Sequence, residues 1–390
     1  MSQIEKLIAQ LCPNGVEYVA LNSLFTPRKG ENITNEQAIP GSFPVVTASR
    51  GSTFTHNDYN FSGEYITISS HGAYAGYVSY YNQKFWLGNN VYLFESKGAK
   101  ISTRFYFHVL KSLAQALLAT VNTGGIPYIN SKDLSRLRVP HPPIQIQNQI
   151  VEILDCFLAL EAELEAELEA RVKQYEFYRE SLFGHAADVF ELKAIADIAT
   201  IWRGRRFVKD DIQQEGVPAV HYGEIYTKYG LEASEAFSFL EPELAARLRF
   251  AKSGDVILVS AGETIEDIGK SFAWFGKKDI VIHDACYGLR SIAVDPKYMV
   301  HFFNTHYFRS QLRMFISSSK ISAISTEKLG KVMIPVPALE RQKEIANLLD
   351  GFDTVITNVS EGLPAEIKAR HQQYEYYRNK LLTFKKLDVA

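Results

Sequence analysis

The 390-residue chain is short of the features that mark a disulfide frame, a membrane span or a strongly charged ligand. It has three cysteines, Cys12, Cys156 and Cys286, far apart in sequence. So sparse and odd a set reads as reduced thiols in a cytosol rather than a cystine scaffold. No run of 18 apolar residues occurs, so no transmembrane helix is expected. The start, MSQIEKLIAQ, lacks the basic lead and apolar centre of a secretory signal. The formal net charge is only −2, so an argument for a nucleic-acid partner has to be local. What is left is an ordinary globular composition, 46% hydrophobic and 22% charged, in a length that suggests two to three domains.

Catalytic signatures are missing as well. AGETIEDIGKS (Ala261 to Ser271) looks like a phosphate loop, but Gly262 to Gly269 is two residues too long for GxxxxGK[ST]. HPPI (His141 to Ile144) lacks the Asn and the aromatic of an adenine methyltransferase box. His301 and His306 are five apart and do not share a helical face as a zinc pair would. His283, Asp284 and Cys286 read as a structural strand end rather than a metal or nucleophile site. No dinucleotide fingerprint or acid–base constellation is found.

What is present is a repeat. QYEFYRE (Gln174 to Glu180) returns as QYEYYRN (Gln373 to Asn379). VPHPPIQIQNQIVEILD (from Val139) matches IPVPALERQKEIANLLD (from Ile334) at an offset of 195, as IPYINSKDL (from Ile126) matches ISAISTEKL (from Ile321). GEYITISSHG (from Gly63) resembles GDVILVSAGE (from Gly254) at 191. EYVALNSL and ELKAIADI, Gly30 and Gly204, and FPVVTAS and VPAVHYG all match at 174. One unit of roughly 190 residues is written twice, close at its ends and divergent in its middle.

Each unit opens with short strand-like runs (EYITISS, NVYLF, DVILVS, IVIHD) and a late amphipathic helix, around 104–120 and 298–316. Then comes a long helix. Ile150, Leu154, Phe157, Leu160, Leu164, Leu168, Val172, Tyr175, Tyr178 and Leu182 follow at steps of three or four, an apolar seam for a partner helix. From Ile144 to Phe183 such a helix spans about 60 Å. The second copy has four extra residues and carries Gly362 and Pro364, which predict a break or kink. The first has the spacer-like run LEAELEAELEA (Leu160 to Ala170). The expected architecture is α+β: two mixed α/β domains joined by two long helices in an antiparallel coiled coil, with pseudo-two-fold symmetry. The boundaries fall at 1–143, 144–185, 186–337 and 338–390. The tyrosine blocks read first as seam packing, and secondly as a surface for two copies of a partner, formed by Tyr175, Tyr178 and Arg179 and by Tyr374, Tyr377 and Arg378.

Charge is unevenly spread. Residues 1–143 hold 12 Lys+Arg against 8 Asp+Glu, whereas 144–185 hold 3 against 9. The second unit has a dense basic loop, WRGRRFVK (Trp202 to Lys209), followed by HYGEIYTKYG (His221 to Gly230). Arg can meet phosphates or guanine edges, and Tyr, Thr, His and Glu offer short directional contacts to bases.

These residues together resemble the specificity subunits of type I restriction–modification systems. The resemblance rests on LCPNGVEYVALNSL, FPVVTASRG, VPAVHYGEIYTKYG, the two glycine-led strands and the doubled P-x-P…LD…QYE-Y-YR helices, and it covers nearly the whole chain. It implies two target recognition domains that read the halves of a split, asymmetric DNA site, with the helices as a ruler for the spacer. It implies docking of two methyltransferase and two motor–nuclease (restriction) subunits. Those partners supply the S-adenosylmethionine, ATP and Mg²⁺ chemistry, including adenine-N6 methylation, while this chain is non-catalytic and binds no cofactor or metal. The Gly362–Pro364 break departs from a matched helix pair. From the basic loop and the segment after it, with matching offsets for the first domain, the expected DNA faces are Arg203, Arg205, Arg206, Lys209, His221, Tyr222, Tyr226, Thr227 and Lys228 in the second domain. In the first they are Arg28, Lys29, Thr47, Ser49, Arg50, Ser70 and His71. Two other readings compete: a coiled-coil scaffold binding only protein, and a stand-alone methyltransferase, which the missing catalytic motifs disfavour.

Overall fold

A computed structural model describes residues 3–52, 54–318, 322–357 and 362–387. Ile321, at the head of one repeat match, lies outside them. The chain forms two compact units, 1–165 with 366–390, and 166–365. This division cuts across the sequence repeat. The end of each repeat's helical part belongs to the unit built mainly from the other repeat.

The two units share one sheet plan. In the first, the strands Phe25–Lys29, Val91–Ser96, Tyr65–Ser69 and Val78–Tyr81 lie side by side in that order, all antiparallel. In the second, Ala199–Arg203, Cys286–Ser291, Val256–Val259 and Ser271–Trp274 repeat the order, and Glu232–Ala233 adds an edge. A smaller sheet accompanies each, with one parallel pairing, Phe43–Val46 beside Lys84–Leu87 and Val217–Val220 beside Ile280–Ile282. The runs that alternate or stay wholly apolar are the ones that became strands, because their faces pack under helices. Ile66, Ile68 and Phe94 in one unit, and Val256, Leu258 and Leu289 in the other, are buried against Thr103–Ser112 and Pro296–Phe303.

The strand ladders correct one sequence alignment. Ile68 lies opposite Tyr92, and Leu258 opposite Tyr287. Hydrogen-bond register therefore equates Ile68 with Leu258, one residue out of step with the 191 offset of the letters. Register follows backbone pairing and facing, which similar glycines at a strand's start do not determine. The late amphipathic helices are also each two pieces, Thr103–Ser112 with Ala114–Ala119, and Pro296–Phe303 with His306–Phe315. In the second pair Thr305 stops the run by capping the next helix, its Oγ1 accepting the Phe308 N–H at 3.1 Å.

The long helix of the first repeat is unbroken and runs past Phe183, from Ile144 to Val189. Its counterpart is divided into Leu339–Thr357 and Leu363–Leu382, as Gly362 and Pro364 predicted. Pro364 sits in the first turn, where a missing N–H leaves no bond unmade. In unit 1 the helices pair antiparallel: Phe157 stacks on Tyr377, centroids 5.2 Å apart, and further along Glu161 meets His371 at 2.9 Å. Ile150 and Leu154 are fully buried in the seam, while Leu164, Leu168 and Val172 are half-buried. No helix among the described residues is long and apolar enough to cross a membrane.

Candidate nucleic-acid interface

In unit 2 the basic loop and the strand ends it touches enclose a cleft of about 990 Å³. Arg203, Arg206, Lys209, His221 and Tyr222 line it, all expected from sequence. The loop is held down tightly. Gly204 N–H donates to the Cys286 carbonyl at 3.0 Å, and a Cβ there would lie 2.2 Å from the His283 carbonyl oxygen. Only glycine permits that approach. Phe207 is buried, and its carbonyl accepts from His283 Nε2 at 3.1 Å. His221 caps the helix Tyr222–Thr227, its Nδ1 accepting the Gly223 N–H at 3.3 Å. The His221 and His283 rings lie 4.5 Å apart. Burial pushes both below the usual imidazole range. Each ring is therefore held neutral, and His283 Nδ1 accepts the Ala285 N–H at 3.1 Å.

Four expected residues stand outside the cleft lining. The Arg205 guanidinium donates to the Arg247 carbonyl at 2.6 Å. Thr227 Oγ1 donates to the Gly223 carbonyl, and Lys228 pairs with Glu224 at 2.9 Å. The Tyr226 ring lies under the Lys270 ammonium at 4.6 Å, and burial raises its phenol. Conversely, His283, Asp284 and Glu263 line the cleft although the sequence pattern did not select them. Asp284 faces Arg203 at 3.8 Å. Their one sequence signal was position: they follow buried strands at the end where the basic loop returns.

In unit 1 the seven expected residues fall into local groups. Arg28 pairs with Glu95 at 2.6 Å, and the Lys29 ammonium lies 5.1 Å over Tyr92. Thr47 and Ser49 share a 3.1 Å hydroxyl contact, and Ser49 also donates to the Gly51 carbonyl. Arg50 lies 5.5 Å over Tyr74. Ser70 is buried and bonds His71 Nδ1 at 2.8 Å, while the His71 ring stacks on Tyr128. The Thr47 strand end corresponds to His221, because Gly88 N–H meets the Val46 carbonyl as His283 N–H meets that of Val220.

The doubled tyrosine blocks have two faces. The inner face is a latch. In unit 1, His108 Nε2 donates to Asp155 Oδ1 at 2.9 Å, and Nδ1 accepts from the Tyr374 hydroxyl at 3.1 Å. In unit 2, His301 stands between Asp350 at 2.7 Å and Tyr175 at 3.3 Å. Both tyrosines are buried, with Arg378 and Arg179 over their rings at 5.4 and 5.0 Å. The outer face is solvent-exposed. Phe177 is 68% and Tyr376 62% exposed, each edge-on to the half-covered Tyr178 or Tyr377. Phe177 and Tyr376 stand outside the partner surface expected from sequence, although their aromatic identity recurs at the same place in both blocks. Among the described residues no group of three His, Cys, Asp or Glu is placed to hold a metal.

The type I restriction modification DNA specificity domain family matches this chain twice, over residues 13–174 and 188–369. The chain belongs to that family, as a type I specificity subunit with two target recognition domains. A Haemophilus influenzae protein bearing the name of a type I restriction enzyme specificity subunit is 28% identical, over 89% of this chain and 89% of its own. The EcoR124I/EcoR124II specificity subunit of Escherichia coli is 29% identical over 64% and 62%. The crystal structure of a type I restriction–modification S subunit from M. genitalium shares the fold, with a TM-score of 0.60 at 17% identity, covering 94% of this chain and 96% of that one.

Proposed function

We propose that this chain selects a bipartite, asymmetric DNA site for a type I restriction–modification enzyme, each recognition domain binding one half-site. The observation that carries the reading is a common frame with different residues at its open end. Thr47 and Gly88 stand in one domain where His221 and His283 stand in the other. The recognition domains are read as residues 1–143 and 186–337, and the helical parts 144–185 and 338–390 as the spacer. Two exposed aromatic patches, Phe177 with Tyr178 and Tyr376 with Tyr377, suit two copies of a methyltransferase subunit. Tyr175 with Arg179 and Tyr374 with Arg378 hold those patches from beneath. Two restriction subunits complete the assembly in the cytoplasm. S-adenosylmethionine, ATP and Mg²⁺ belong to those partners, and this chain takes part without catalysing.

Exchange of residues 186–337 for the equivalent part of a relative tests this reading, with mapping of methylated adenines in cells that hold the partner subunits. One half of the methylated motif should change and the other persist. A change in both halves, or no bipartite motif at all, defeats it. A protein-only scaffold would also lack the steep fall of DNA affinity with salt that phosphate contacts impose.

A further inference from the structure

Both recognition domains leave the first strand of the main sheet through the same pinned turn. A Cβ on Gly30 would stand 1.8 Å from the Leu87 carbonyl oxygen, and one on Gly204 2.3 Å from that of Ile282. The next residue donates its backbone N–H to that same strand end, Glu31 to Leu87 at 2.9 Å and Arg205 to Ile282 at 3.2 Å. A side chain adds a second tie in each. Trp86 Nε1 donates to the Glu31 carbonyl at 3.1 Å, and the Arg205 guanidinium reaches the Arg247 carbonyl.

The residue after this pinned position is Asn32 in one domain and Arg206 in the other, both exposed. Among the described residues neither side chain has a hydrogen bond, an ion pair or a ring contact. Three arginines of the same two segments differ in this respect: Arg203 is engaged by Asp284, Arg205 by Arg247 and Arg28 by Glu95. A polar head without a partner on a backbone that needs no ordering is what direct readout of a base edge requires. Arg and Asn are moreover side chains with a bidentate match to a purine, Arg to guanine O6 and N7, Asn to adenine N6 and N7.

Resting on the two-half-site reading above, we infer that Asn32 and Arg206 occupy one equivalent base-reading position. Arg206 specifies a guanine in one half-site, and Asn32 an adenine in the other. Arg206 thereby acquires a defined base among the basic residues of its loop. Asn32, which the charge pattern could not reveal, becomes its counterpart.

The full chain, with its methyltransferase subunits, is compared as wild type, Arg206→Ala and Asn32→Arg by mapping methylated adenines. Arg206→Ala should lose about tenfold or more discrimination for guanine at one position of one half-site, with the other half and the spacer unchanged. Asn32→Arg should turn one position of the other half-site from adenine to guanine. Among the described residues neither side chain is held by a hydrogen bond or an ion pair, so melting temperatures should stay close to the wild-type value. If methylation becomes too weak to map, titration with oligonucleotides carrying the motif or its substituted guanine reads the same ratio. An unchanged motif, or uniform weakening on all sequences as for a phosphate contact, overturns the assignment. Absence of any bipartite motif with the wild-type chain instead defeats the functional reading on which it rests.

Discussion

In unit 1 the buried His108 joins Asp155 to Tyr374, and in unit 2 His301 joins Asp350 to Tyr175. A second device is doubled with equal fidelity. Gln147 accepts the Ser102 N–H and donates to the Pro142 carbonyl, as Gln342 accepts from Asp295 and donates to Pro337. Even the second partner of each latch carboxylate is cationic, Arg104 for Asp155 and Lys297 for Asp350. The open ends of the sheets differ where these buried groups agree. Unit 2 has the short helix Tyr222–Thr227 and a histidine pair at its cleft, whereas unit 1 has Thr47, Ala48 and Gly88 at the corresponding turns. Buried polar groups with every partner placed tolerate little change, because a single loss leaves the others unsatisfied. Solvent-facing loops carry no such constraint.

The strongest way to break the likeness is at the pinned turns. Gly30→Ala and Gly204→Ala each drive a methyl into a carbonyl, and each should cost about 3 kcal/mol or more by chemical denaturation. Gly30→Ala should be the worse, since its clash is at 1.8 Å rather than 2.2 Å. A substitution tolerated at one site alone would show that the two turns are not equivalent.

The latches come next. His108→Ala or His301→Ala strands a tyrosine hydroxyl and removes one donor from a carboxylate, at about 2–3 kcal/mol each. Denaturant midpoints for the two variants should fall by similar amounts if the duplication is energetic as well as geometric.

Acid should loosen unit 1 by the same route. Burial holds His108 and His141 below the ordinary value of 6.5 in the folded chain. The unfolded chain then binds more protons, so their contribution is present above about pH 6.5 and is lost as pH falls through the folded values. His221 and His283 act in the same direction in unit 2. Burial raises Asp155, but His108 and Arg104 outweigh it and leave the carboxyl below its usual range, so a further loss follows below about pH 4. Melting temperature should hold between pH 8 and about 6.5 and fall from there toward pH 5. A flat profile would contradict the neutral buried imidazoles.

The smallest effect expected concerns the helices, one continuous and one divided. Deleting Ala166–Glu169 removes about 6 Å of helix while turning the seam by only some 40°. On the proposed reading it should shorten the unread spacer by about one base pair and leave both half-sites intact. Methylated motifs mapped for this variant check it, and an unchanged spacer in a folded, active protein would remove this helix as the ruler.

Much of this was legible in the letters. The repeat, the helical seam, the Gly362–Pro364 interruption and the basic loop of the second domain were all local patterns, and local patterns follow from backbone and side-chain preferences within a few residues. Asn32 escaped because nothing about a lone asparagine marks it; only the hydrogen bonds of the Glu31 backbone just before it do. Phe177 and Tyr376 escaped because spacing does not tell which face of a helix stays uncovered.

Sequence by itself thus determined that there are two like units, where each long helix starts, and that the second one breaks. Tertiary structure decided which unit each tyrosine enters: Tyr374, written in the second repeat, latches unit 1, and Tyr175, written in the first, latches unit 2. It also decided the true strand register and the gathering of His283, Asp284 and Glu263 around the basic loop. The physical reason is separation along the chain. Tyr374 lies 266 positions from His108, and their hydrogen bond forms only when packing of the intervening apolar faces has brought the two together.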